Sequence, residues 1–127
     1  MMQDKLILKK CKKCGVVVQI LGDCKNEEFE LKCCDEPMKT VEPNTVECAV
    51  EKHIPNYTIE GDTIHVKVEH VMEEKHYIEW IALVSENTQK MVQLKPGDVA
   101  EATFPYEKNS IIYAYCNLHE LWKKEVM

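Results

Sequence analysis

Seven cysteines and five histidines stand among 127 residues, and their spacing decides which of them can do chemistry. Cys11-Lys12-Lys13-Cys14-Gly15 is a Cys-x-x-Cys turn closed by glycine, a spacing that lets two thiolates bind one ion while backbone amides hydrogen-bond to the sulfurs. Eighteen residues separate Cys14 from the adjacent pair Cys33-Cys34, which completes a tetrahedral four-sulfur set for zinc or a single iron. On spacing alone zinc is favoured, as in a zinc ribbon. The adjacent pair is unusual: neighbours in a strand point to opposite faces, so both sulfurs reach one ion only where the backbone bends. Cys24 and Cys48 fit no ligand spacing and read as ordinary thiols.

A second set is Glu51-Lys52-His53-Ile54-Pro55, His70-Val71-Met72-Glu73-Glu74-Lys75-His76 and Cys116-Asn117-Leu118-His119. Residues six apart in a strand lie about 20 Å apart at roughly 3.3 Å each, so His70 and His76 share an ion only through a loop, which Met72–Lys75 can supply. Asn117-Leu118 can likewise turn the chain so that Cys116 and His119 converge. Four imidazoles and one thiolate are too many for a closed tetrahedral zinc site but suit iron with an open sixth position. A thiolate opposite that position donates electron density to whatever binds there. This describes a redox centre acting on a small oxygen species.

Positioning these residues falls to two regions. Six of the seven cysteines lie in the first 48 residues, and the turn-rich stretch Met38–Asn44 places a boundary near residue 40. The leading piece, residues 1–40, is too small to fold without a staple, and its cysteines point to metal. Residues 41–127 carry segments of strand character: Thr45–Lys52, Thr63–Glu69, Tyr77–Val84, Lys90–Leu94, Val99–Phe104 and Ser110–Cys116. In Thr63–Glu69, Ile64, Val66 and Val68 fall on one face and His65, Lys67 and Glu69 on the other, as in a half-buried antiparallel strand; His65 reads as an exposed strand residue. Pro96-Gly97-Asp98 signals a turn. Short strands at close spacing predict a β-sandwich of roughly 85–90 residues, with the tail His119–Val126 open to helix instead.

The 45% apolar content supports a packed core rather than disorder. The net charge of -6 and the absence of arginine among the 16 basic residues argue against nucleic-acid and nucleotide binding, which draw on a basic excess and on bidentate guanidinium forks. The first residues lack a signal peptide's apolar stretch, and no stretch reaches the roughly 18 apolar residues of a membrane span. The expected compartment is the cytoplasm, where cysteines serve metal or redox chemistry rather than disulfides.

These motifs resemble the desulfoferrodoxin family of superoxide reductases over almost the whole chain. The Cys-x-x-Cys-Gly knuckle and Cys33-Cys34 look like the family's desulforedoxin-like, rubredoxin-type iron site. Glu-Lys-His-x-Pro, His-x-Met, His-Tyr-Ile-Glu-Trp-Ile and Cys-Asn-x-His look like its catalytic segments. Where the family usually has His-Pro-Met, this chain has His70-Val71-Met72. The resemblance implies a mainly β chain, a small metal-stapled domain followed by an immunoglobulin-like β-sandwich, with two mononuclear irons. Cys11, Cys14, Cys33 and Cys34 would hold the first. His53, His70, His76 and His119 would be equatorial ligands of the second, with Cys116 axial and the sixth position open to superoxide. The reaction implied is one-electron reduction of superoxide to hydrogen peroxide without release of oxygen. Glu51 would ligate the ferric iron, and Lys52 would attract the anion and assist protonation. The resemblance also implies a rubredoxin donor and a homodimer.

Lys5, Lys9, Lys10, Lys12 and Lys13 gather around the knuckle while the rest of the chain is acidic, a basic surface that fits either an acidic donor protein or plain solvation. The rival to the enzyme reading is an electron carrier or a zinc-braced binding module in which the histidines do not converge.

Overall fold

Every regular element among residues 6–22, 26, 28–44 and 53–127, the residues described by the computed structural model, is a β-strand. The chain divides into two compact units, Leu6–Glu42 and Pro43–Met127. In the first, β1 (Ile7–Lys10), β2 (Val17–Ile20), β3 (Lys32–Cys33), β4 (Glu36–Pro37) and β5 (Lys39–Thr40) follow one another. They make a sheet of order β2-β1-β5 and a small β3-β4 hairpin. Val41 N–H donates to Leu8 O at 3.0 Å, so the turn-rich stretch after residue 38 pairs with this unit as far as Val41. Its buried side chains are Leu6, Leu8, Cys11 and Val41. So few apolar groups offset little chain entropy.

The second unit contains β6 (Asn56–Glu60), β7 (Thr63–Lys67), β8 (Ile78–Val84), β9 (Gln89–Gln93), β10 (Glu101–Pro105), β11 (Ile111–Cys116) and β12 (Glu120–Glu125). They form two antiparallel sheets, β10-β7-β6 and β12-β11-β8-β9. Alternation places Ile64, Val66 and Val68 inside with Ala102 and Phe104 of β10. Facing them are Ile81 and Leu83 of β8 and Ile112, Ala114 and Cys116 of β11. Each large side chain so buried contributes about 1.5–3 kcal/mol. The result is an immunoglobulin-like β-sandwich.

Two expectations change. Residues 120–125 are a strand rather than a helix: Glu, Leu and Lys are good helix formers, but pairing with β11 from Ile111↔Glu125 to Cys116↔Glu120 overrides propensity. Asn56–Glu60, which the segment reading passes over, pairs β7 through a two-residue turn opened by Gly61 at φ 59°. The segment Thr45–Lys52 lies outside the described residues. At Pro96–Asp98 the turn forms with Gly97 at φ 91° and Lys95 N–H donating to Asp98 Oδ2 at 2.8 Å.

Candidate metal centres

In the first unit the knuckle is shaped by backbone bonds to Cys11. Gly15 N–H donates to Cys11 O at 2.9 Å, and Cys11 N–H donates to Val16 O at 3.0 Å. Gly15, at φ 83°, occupies the left-handed region that glycine enters without cost. Cys14 N–H points at Cys11 Sγ, 3.5 Å away. This amide, assisted by that of Lys13, holds the Cys11 thiol down to about 6.

The bend that an adjacent cysteine pair needs is present. Cys34 and Asp35, at φ 53° and 62°, are the two loop residues of the β3-β4 hairpin, and two successive left-handed residues match the right-handed twist of such hairpins. Cys33 and Cys34 thereby face the same side, with sulfurs 3.9 Å apart, and Cys33 Sγ is 3.6 Å from Cys14 Sγ. All four sulfurs lie within 4.8 Å of one another. Thiolates about 2.3 Å from a tetrahedral ion stand about 3.8 Å apart, so the set fits a single ion. With protons in place of an ion, Cys33 is pushed up to about 12, first by its bond to Cys11 and then by Cys14. Four crowded sulfurs cannot all ionise without a cation.

In the second unit, five donors from three stretches of the chain converge at one end of the sandwich. His53 precedes β6, His70 follows β7, His76 precedes β8, Cys116 ends β11 and His119 lies in the three-residue link to β12. One donor atom from each lies within 4.8 Å of all the others. His53 Nε2 is 3.1 Å from His119 Nδ1, and Cys116 Sγ is 3.4 Å from His70 Nε2 and 3.8 Å from His119 Nδ1. His70 Nδ1–H donates to Val71 O, which fixes the tautomer and leaves Nε2 free to ligate. Burial lowers the His70 pKa and raises that of Cys116, which favours a neutral His70 imidazole and a Cys116 thiol until a cation arrives.

The supports are local. Between His70 and His76 the chain makes a tight turn: Glu73 N–H donates to His76 O at 2.9 Å and His76 N–H to Glu73 O at 3.1 Å. Met72 Sδ accepts from Ile78 N–H at 3.4 Å, and Met72 O accepts from Gly97 N–H at 2.8 Å. A bulge between Tyr115 and Cys116, where Cys116 pairs Ile78, turns the end of β11. Trp122 lies 5.1 Å from the His53 ring, centroid to centroid, and its Nε1–H donates to His119 O at 2.9 Å.

His76 Nε2 is buried and, among the described residues, has no hydrogen-bond partner. An orphaned buried nitrogen costs about 1–3 kcal/mol, and an ion at the centre of the other four donors removes that cost. The residues present therefore fit a metal ion.

Of the residues singled out in the sequence, the structure brings the nine candidate ligands into two groups, four sulfurs in one and four imidazoles with one sulfur in the other. Glu51, Lys52, Cys24 and Cys48 lie outside the described residues. His65 stays outside both groups, 3.3 Å from Thr103 Oγ1 and 3.7 Å from Glu60 Oε2. Sequence reasoning gave Met72 and Asn117 only a place in the connecting loop and turn, without the bonds they make, and gave Trp122 no role.

Residues 45–125 match the Desulfoferrodoxin family model. The chain is 42% identical to a desulfoferrodoxin from Syntrophotalea carbinolica, over 98% of this chain and 99% of the relative. It is 41% identical to a desulfoferrodoxin from Nitratidesulfovibrio vulgaris over the same shares. The crystal structure of the superoxide reductase from Treponema pallidum superposes with a TM-score of 0.71 at 27% identity, covering 95% of this chain and 99% of that one.

Proposed function

Since the chain belongs to the desulfoferrodoxin family, we propose that it is a superoxide reductase with two mononuclear irons, one held by Cys11, Cys14, Cys33 and Cys34, the other by His53, His70, His76, His119 and Cys116. The observation that carries this is the second donor set, whose ligand atoms lie within 4.8 Å of one another and include His76 Nε2, which has no hydrogen-bond partner among the described residues. The chemistry supplied by iron bound there is one-electron reduction of superoxide, with two protons taken up and hydrogen peroxide released.

The chain's own residues prepare that step. His70 offers Nε2 because its Nδ1–H is spent on Val71 O. The raised Cys116 thiol is ionised only in exchange for a cation, which ties thiolate donation to metal loading. Lys52, next to His53 in a chain of net charge -6, supplies the positive charge that attracts an anion and helps protonate it, and Glu51 ligates the oxidised metal. In this reading residues 1–40 form the metal-stapled domain and 41–127 the catalytic one. The enzyme acts as a cytoplasmic homodimer and takes electrons from a rubredoxin-type donor.

Rapid mixing of the fully reduced, iron-loaded chain with superoxide tests the proposal. Peroxide formed in step with iron oxidation, without oxygen, is the expected result. Oxygen alongside peroxide means a dismutase, and no accelerated decay of superoxide returns the chain to a carrier or binding module.

A further inference from the structure

The turn carrying His76 and the turn carrying Cys116 and His119 come from distant parts of the sequence, and one side chain joins them. Asn117 Oδ1 accepts from Tyr77 N–H at 3.0 Å, and Asn117 Nδ2 donates to Lys75 O at 3.0 Å. Its backbone N–H donates to Tyr77 O at 3.2 Å. Three bonds thus run from one residue to the two neighbours that flank His76.

The position explains the residue type. Pairing of β11 with β8 ends at Cys116↔Ile78, and beyond it backbone-to-backbone pairing continues only in the single bond from Asn117 N–H to Tyr77 O. A primary amide is the side-chain counterpart of a peptide unit, with one planar acceptor and one planar donor. At asparagine length it continues the ladder for one more step, satisfying Tyr77 N–H and Lys75 O together. Aspartate keeps the acceptor and loses the donor, setting a carboxylate against a carbonyl. Alanine leaves both groups to water.

We infer that Asn117 is a positioning residue for the five-donor centre: it locks the His76 turn to the Cys116–His119 turn and so sets how tightly that centre holds a metal ion. The inference rests on the metal-binding part of the proposed function and not on its superoxide chemistry. Residues that orient ligands from behind typically govern metal affinity by about 10–100-fold.

The test uses the full chain with cobalt(II) as probe, metal-free at the start, with affinity read by chelator competition and each centre followed by its own thiolate-to-metal absorption. Asn117→Ala is expected to weaken binding at the five-donor centre by about 10–100-fold and to shift its absorption band. The four-cysteine centre on the same chain is expected to keep its affinity. Asn117→Asp, which retains the Tyr77 bond, serves where alanine fails to fold and is expected to weaken binding in the same direction. A lower melting temperature with unchanged affinity and band position overturns the inference, because a merely structural asparagine behaves that way. Two ions per wild-type chain with unaltered variants overturns it alone. One ion per wild-type chain, at the cysteines, overturns it together with the proposed function.

Discussion

His70 Nε2 and Cys116 Sγ lie 3.4 Å apart although they stand 46 positions apart in the sequence. His70 follows β7 of one sheet and Cys116 ends β11 of the other, so their meeting is a product of the sandwich core, where Val66, Val68, Ala114 and Cys116 pack in one cluster. The four cysteines meet differently, through a knuckle turn and a two-residue hairpin.

This difference predicts an asymmetric response to metal removal. The Leu6–Glu42 unit has only four buried apolar side chains among its described residues, so its folding free energy comes largely from the ion. Chelation is expected to make this unit protease-sensitive while the sandwich keeps its β-sheet circular dichroism and its folded melting transition. Limited proteolysis followed by mass spectrometry checks it; equal resistance with and without metal would sink the idea.

The unpartnered His76 Nε2 makes opposite predictions for the loaded and the metal-free protein. His76→Leu removes a buried polar atom that lacks a partner among the described residues, so the metal-free chain is expected to gain about 1–3 kcal/mol. The same change removes a ligand, so metal affinity at that centre falls at least tenfold. Denaturant titration of metal-free protein and metal analysis of loaded protein read the two signs.

Glu120, at φ 63°, holds a left-handed conformation at the end of the link that brings His119 back to Cys116. Three-residue hairpin links of this kind favour glycine there. A non-glycine residue in that region costs about 1–2 kcal/mol, part of which glycine returns as extra chain entropy in the unfolded state. Glu120→Gly is expected to stabilise the chain by about 1 kcal/mol, with metal content unchanged. A drop in the denaturation midpoint would show that Glu120 side-chain contacts outweigh the backbone strain.

How far the sequence anticipates these features depends on how local they are. The Cys11, Cys14, Cys33 and Cys34 set is readable because each pair is fixed within a few residues, and the need for a bend at Cys33-Cys34 follows from strand geometry alone. The alternation of Ile64, Val66 and Val68 likewise gives their inward face. The imidazole set is different. Periodicity gives no reason for His53, His70, His76 and His119 to meet, and only the motifs around them do. The β12 strand was obscured because Glu120-Leu-Trp-Lys-Lys-Glu125 carries helix formers, and what makes it a strand is β11 beside it. Asn117 and Trp122 act on groups that become neighbours only after folding.

Lys52 is expected to govern encounter with the anion rather than the later chemistry. In a chain of net charge -6, a lysine beside His53 works against a repulsive background, over a Debye length of about 8 Å at physiological salt. Lys52→Glu is expected to slow association with superoxide by about tenfold at low salt, with the gap closing as ionic strength rises. Stopped-flow rates at several salt concentrations check this, and identical rates throughout would remove Lys52 from the encounter. Glu51→Ala is expected to leave this rate nearly intact and to change the ferric absorption spectrum.

Acid is expected to act at the opposite side of the ledger, through Glu107. Its carboxyl is held below the usual carboxylate range, chiefly by the Ser85 hydroxyl, then by Thr88 and by the Lys90 ammonium 3.8 Å away. Because the folded chain favours the ionised form, stability from this group is fully present above the ordinary glutamate range and is lost as pH falls through the lowered folded value. Glu107→Gln removes the titrating group. The variant is therefore expected to be less stable than the parent at neutral pH, with the difference narrowing on acidification until the two denaturation midpoints meet. An amide and a protonated carboxyl present similar oxygens to Ser85 and Thr88, so a difference that stays constant across that range would not track ionisation and would sink the idea.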